Sequence, residues 1–205
     1  VSKNNFFLSG WLLLSAVIVS AAFQSCSTSV RTAFVPPAIV LDTTGPHYLH
    51  NVSEVKYWDR ISSANRATNF GWYDSTGKVH EMYEFYDKVV VLSFFGTWSP
   101  AAVNELATLD SARSSGDTNV LYLGVSMKEG VLNGKAVRRI DSFARSQNIP
   151  FQLLIGSPDF GYTYSGIDVV PTTFVITLKR KISATFEGYV SEAKLLNAIS
   201  EAEKK

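Results

Sequence analysis

The chain has 205 residues, 46% of them apolar and 18% charged, so it can bury a core, and at this length it holds one ordinary domain plus a leader, or one elaborated domain. That excludes a large multidomain enzyme. Lys and Arg number 19 against 18 Asp and Glu, and Lys3 is the only charge in the first 26 residues, so no basic stripe points to nucleic acid. The single cysteine, Cys26, excludes an internal disulfide, a Cys-rich zinc site and a dithiol motif.

Residues 6–23 (FFLSGWLLLSAVIVSAAF) are uncharged, follow Lys3 and end in small residues shortly before Ser25 and Cys26, the order of a secretory leader. The same stretch is also nearly long enough to cross a ~30 Å hydrocarbon core as a retained helix. Either reading places the rest of the chain outside the cytoplasm. Residues 27–34 read as a polar tether, Pro36 and Pro37 stiffen the entry to the apolar run 38–41, and a short helix is expected over 52–61. This divides the chain into a leader over 1–26, a tether and N-terminal extension over 27–67, and a folded domain over 68–205.

Within the domain, residues 69–73 and 78–82 read as strands of a hairpin joined by Asp74-Ser75-Thr76-Gly77. Residues 89–95 (VVVLSFF) form a continuous apolar run, as expected of a strand covered on both faces. Pro100 suits the first turn of a helix that carries Val103, Leu106, Leu109 and Ala112 at helical spacing. A second buried strand is expected over 120–126, a second helix through Val137, Ile140, Phe143 and Ala144, and a third strand over 151–155. Two further strands follow at 173–178 and 182–187, with Lys179-Arg180-Lys181 between them. A last helix runs over 191–202, with Ser191 as N-cap and Leu195, Leu196 and Ile199 on its buried side. The order β-α-β-α-β then β-β-α gives parallel early strands and a final antiparallel pair in one mixed sheet.

The strand 89–95, the segment Gly96-Thr97-Trp98-Ser99-Pro100-Ala101-Ala102, Gly124-Val125-Ser126, Val170-Pro171-Thr172-Thr173-Phe174 and Gly188 together resemble the thioredoxin fold. Within it they are most similar to the membrane-anchored, TlpA-like redoxins. The resemblance covers residues 68 to 205 and implies an α/β fold, a mixed central sheet flanked by helices, with an added N-terminal β-hairpin. Relatives carry Cys-x-x-Cys after the tryptophan, where helix N-terminal amides lower the first thiol's pKa and the second thiol resolves the mixed disulfide. Here Ser99 and Ala102 occupy those positions, and Ser93 stands where many thioredoxins keep a buried acid. Residues 99–106 also resemble peroxiredoxins, whose reactive cysteine would fall on Ala102. The stretch around Cys26 resembles a bacterial lipoprotein signal, which implies lipidation at Cys26 and a periplasm-facing location in the cell envelope. Lipidation, a retained anchor and simple cleavage stay open.

The resemblance further implies that Val170-Pro171 is a cis-proline element beside an exposed Trp98, at which an extended peptide can pair as an added strand. Three functional readings follow: a non-redox module binding an envelope protein or extended peptide, a thiol-disulfide or peroxide oxidoreductase using Cys26 or a partner's thiol, and a structural subunit of an envelope assembly. No cofactor and no metal are expected. A serine nucleophile at Ser99 would need a base, and His47, His50 and His80 all precede the first core strand, so Ser99 reads as a helix cap. His47-x-x-His50 reads as a polar loop, Asn51-Val52-Ser53 as a chance glycosylation triplet, and the aromatic run 81–86 as packing beneath the first core strand.

Overall fold

The computed structural model describes residues 46–59, 65–115, 119–129 and 134–205, all inside a compact unit spanning Pro36–Lys205. The leader, Cys26 and the tether over 27–34 lie outside the described residues, as do Pro36, Pro37 and the apolar run 38–41. At the centre stands β5 (Val89–Phe95), every residue of which is buried. It pairs in parallel with β6 (Val120–Ser126) and antiparallel with β8 (Thr172–Ile176). Beyond β6 lies β7 (Gln152–Ile155), and beyond β8 the antiparallel β9 (Ile182–Glu187). The hairpin of β3 (Phe70–Tyr73) and β4 (Val79–Glu81) turns at Gly77, whose φ of +83° favours glycine.

That hairpin joins the main sheet through β2 (Val52–Trp58), which also pairs with the short β1 (Tyr48–Leu49) and gives the order β4-β3-β2-β7-β6-β5-β8-β9. The helix expected over 52–61 is therefore corrected: residues 52–58 are a strand. Val52, Ser53 and Glu54 register in parallel with Leu153, Leu154 and Ile155, while Val55 faces Trp72 on the other side. Ser53 and Glu54 are buried along with the valines, so the period-two alternation that marks a strand is lost. Ser53 is tied down by accepting from the Tyr73 amide at 3.0 Å and donating to the Glu54 carbonyl at 2.9 Å.

The successive crossovers between β5, β6 and β7 step the same way across the sheet, and parallel connections share one hand, so the two helices between them lie on one face. There α1 (Pro100–Ser115) contributes Leu106, Leu109 and Ala112, α2 (Gly134–Ser146) Val137, Ile140 and Ala144, and α4 (Glu192–Glu203) Leu195, Ile199 and Ala202. They pack on Val89, Val91 and Phe95. Ser191 holds the N-cap position of α4, yet its hydroxyl makes no cap bond, and Leu196 is only half-buried. The opposite face presents Val90, Leu92 and Phe94 to an aromatic layer of Phe70, Trp72, Phe160, Tyr164 and Phe174. Its cover is a 3-10 turn over Met82–Phe85 and the five-residue α3 (Pro158–Tyr162).

Register brings the ends of these strands together. Phe94 faces Thr172, Phe95 faces Ser126, Ser126 faces Ile155, and Thr172 faces Glu187. The loops after β5 and β6, the entry to β8 and the exit of β9 therefore meet at one end of the sheet.

Candidate functional site

Residues 96–102 leave β5 and turn into α1 at that end. The Ser99 amide donates to the Gly96 carbonyl and the Ala102 amide to the Ser99 carbonyl, both at 3.0 Å, which winds the chain directly into the helix that Pro100 begins. Ser99 is 9% exposed, Ala101 is exposed, and Ala102 is fully buried in the aliphatic core. A hydroxyl thus sits near the surface where the first thiol of a dithiol pair would stand, and a methyl occupies the inner position. Neither side chain supplies a redox group.

Trp98 projects from this turn and is 57% exposed. Its indole folds back over Gly96 so closely that a Cβ there would lie 2.6 Å from the ring. The neighbouring Thr97 is held by Glu129, in the connection after β6. One carboxylate oxygen accepts from the Thr97 amide at 2.9 Å, the Thr97 hydroxyl at 2.9 Å and the Ser126 hydroxyl at 2.7 Å; the other accepts from Arg139 at 3.0 Å.

Across the sheet end, the Val170–Pro171 peptide is cis. The Thr172 hydroxyl donates to the Val169 carbonyl at 2.7 Å, and the Gly188 amide donates to the Pro171 carbonyl at 2.7 Å. Gly188, at φ +79°, turns the chain out of β9 so that Tyr189 stands 56% exposed beside this entry, and Val169 is 45% exposed. Trp98, Val169 and Tyr189 thus put large apolar surface on loops that share one end of the sheet.

Beneath the turn lies a buried polar chain. Thr173 Oγ1 is 2.6 Å from Glu105 Oε1 and 2.9 Å from Ser93 Oγ, and the Val190 amide donates to Glu105 Oε2 at 3.0 Å. Glu105 is fully buried, and burial raises its carboxyl above the ordinary range, against the bonds from Thr173 and Val190. Hydroxyl protons along the chain can run from Ser93 through Thr173 to an ionised Glu105, or from a neutral Glu105 through Thr173 to Ser93. The site therefore keeps a buried acid, on α1 rather than on the preceding strand where Ser93 stands.

The other sequence candidates are engaged elsewhere. His47 bonds Glu54 at 3.3 Å and His50 bonds Asp141 at 2.9 Å, so the pair shares no site. His80 lies between Glu84 at 2.8 Å and Asp74 at 3.1 Å on the hairpin, away from Ser99 in the topology. Among the described residues no group of three metal-ligating side chains occurs. Asn51 spends its side-chain amide on the Ile149 and Phe151 carbonyls at 2.9 and 2.7 Å. In the run 81–86, Met82 is buried, Phe85 stacks on Trp72, and Tyr83 and Tyr86 hold the Arg180 guanidinium.

Sequence reasoning missed Glu105, Glu129 and Tyr189. Glu105 had a signal, since it stands on the apolar stripe of Ala102, Leu106 and Leu109, where an acid must be buried. Glu129 had none, because its partners come from the turn after β5, from β6 and from α2.

No protein-family model matches the chain. The thiol-disulfide oxidoreductase ResA of Geobacillus thermodenitrificans is 25% identical over 137 residues, covering 64% of this chain and 73% of that protein. Among solved structures, a thiol:disulfide interchange protein of the thioredoxin family from Chlorobium tepidum superposes with a TM-score of 0.58 at 19% identity, covering 69% of this chain and 98% of its own. A secreted disulfide oxidoreductase of Mycobacterium tuberculosis, described as homologous to Escherichia coli DsbE, gives 0.51 at 16% identity, covering 62% and 90%.

Proposed function

We propose that this chain, which has a thioredoxin-like fold and thiol:disulfide interchange homologues, is a non-redox binding module. It would take an extended peptide or envelope protein at the surface formed by Trp98, Val169–Pro171 and Tyr189. The observation that carries this is the pairing of Ser99 and Ala102 with an otherwise intact frame. Thiol-disulfide exchange needs a thiolate to attack a sulfur, and the chain's one cysteine, Cys26, is outside the domain. Strand addition at a loop edge needs no sulfur; backbone pairing supplies affinity and apolar side chains supply anchors.

The test is an array of 15-residue peptides drawn from bacterial envelope proteins, probed with the full chain and with Trp98→Ala. Loss of capture in the variant, at unchanged unfolding midpoint, supports the module. Equal capture by both forms sinks it and moves the weight to a structural subunit.

A second reading, an oxidoreductase, is favoured by the relative's activity and by the buried Glu105, a proton-carrying group beneath the turn. It requires a thiol from Cys26 or from a partner. Disulfide reduction by the full chain that disappears in Cys26→Ser would establish it, and no turnover in either form would exclude it. For location, we read the uncharged stretch 6–23 and Cys26 as an envelope-facing leader, with lipid attached at Cys26. A relative described as secreted supports export.

A further inference from the structure

We propose that Glu129 is the positioning residue of this surface: its carboxylate locks the Thr97–Trp98 step so that the indole meets a peptide already oriented. The inference rests on the peptide-binding reading above. The Glu129 side chain is 5% exposed and accepts bonds from Thr97, Ser126 and Arg139. Burying a carboxylate costs stability unless donors surround it, and bonds to an ionised acceptor are the strong kind. Here the amide and hydroxyl of Thr97 and the hydroxyl of Ser126 supply them, with Arg139 balancing the charge from α2. Backbone pairing between these segments ends with the Met127 amide on the Phe95 carbonyl at 2.8 Å. Beyond that point the Glu129 side chain continues the connection between the β5 and β6 exits.

The next residue is Trp98, more than half exposed yet folded onto Gly96. An exposed indole on a free loop would sample several orientations and lose them on binding. Holding one such side chain in advance is worth about a three- to tenfold gain in affinity. Glu129 touches no peptide in this arrangement and acts through Thr97.

The experiment uses the full chain and its E129A and E129Q forms, reading amide hydrogen exchange at Thr97 against Leu92 in the centre of β5. E129A is expected to speed exchange at Thr97 about tenfold or more while Leu92 is unchanged, and to raise acrylamide quenching by an increment that is absent when the same change is made on Trp98→Ala. E129Q, which keeps one acceptor oxygen, should show a smaller effect of the same kind. An unchanged Thr97 rate, or a rise shared equally by Leu92, overturns the proposal, since a merely structural role moves both together. Should E129A not fold, E129Q decides by the same ratio. On the peptide array, E129A should weaken Trp98-dependent capture about three- to tenfold; freed exchange with undiminished capture also overturns it. If the parent chain captures nothing, the peptide-binding reading fails by itself, and the Thr97 ratio still decides whether Glu129 positions the turn.

Discussion

The two faces of the sheet are built from different material. On one, regular helices lay aliphatic side chains against Val89, Val91 and Phe95; on the other, a 3-10 turn and a five-residue helix are held down by rings. Phe160 is the hub of the second face, with ring centroids of Phe70, Trp58, Tyr164 and Phe94 at 5.0, 5.7, 5.7 and 5.9 Å. Short irregular segments gain little from backbone periodicity, so large rings must supply the area that fixes them. The polar chain Glu105-Thr173-Ser93 belongs to the helical face, and so does the buried Ala102. The buried polar chain is therefore placed where the scaffold is most regular.

The sharpest test of this contrast is to remove one side chain from each face. Phe160→Ala should cost about 4–5 kcal/mol, against about 3 kcal/mol for Leu109→Ala, because no helical neighbour can close over the hole it leaves. Urea midpoints with unchanged slopes would measure both. Equal losses would mean that the aromatic cover is no more than a cap on a core fixed from the helical side.

Next in size comes overpacking. A Cβ on Gly124 would meet Leu153 Cδ2 at 2.6 Å and Phe95 Cε1 at 3.2 Å, both in the helical-face core. Gly124→Ala should therefore cost about 1–3 kcal/mol, read from the same midpoints. A neutral outcome would show that the aliphatic face can shift as the aromatic face cannot.

The same contrast explains what the sequence made legible. A seven-residue run, apolar but for Ser93, marked β5 in full, and 3.6-residue spacing marked α1, α2 and α4, because helices that bury one stripe write it into the chain. The aromatic cover has no period to read. β2 was mistaken for a helix because burial on both faces admits Ser53 and Glu54 beside the valines. The Trp98 turn and Val170-Pro171 were readable as a local pattern. Glu129 was not, because a side chain that closes a gap between strand exits leaves its mark only in three dimensions.

Glu105 offers a comparison by pH. Burial raises its carboxyl above the ordinary 4.5, so the folded chain holds that proton longer than the unfolded chain does. Its contribution is then complete below about pH 4.5 and declines as pH rises through the folded value, by at most about 1.4 kcal/mol per pH unit. Asp74 in the hairpin turn and Glu84 in the 3-10 turn are shifted down, Asp74 by the Thr76 hydroxyl and Glu84 by His80, and lose stability in the opposite direction, as pH falls. Subtracting the stability curve of Glu105→Gln isolates the buried acid. The difference should fall with pH above 4.5; a flat difference would mean that the Thr173 and Val190 bonds offset burial completely.

The smallest expected effect on stability separates scaffold from site most cleanly. A Cβ on Gly96 would lie 2.6 Å from the Trp98 indole, as close as the Cβ of Gly124→Ala to Leu153. The consequences differ because Leu153 is fully buried, whereas Trp98 is 57% exposed and can swing into solvent. Gly96→Ala should thus shift stability by no more than about 0.5 kcal/mol, while the indole leaves its place on the backbone. If orientation of Trp98 governs recognition, this variant loses peptide capture nearly as fully as Trp98→Ala at an almost unchanged midpoint. If capture persists, the indole contributes area alone, and the close seat over Gly96 has no part in binding.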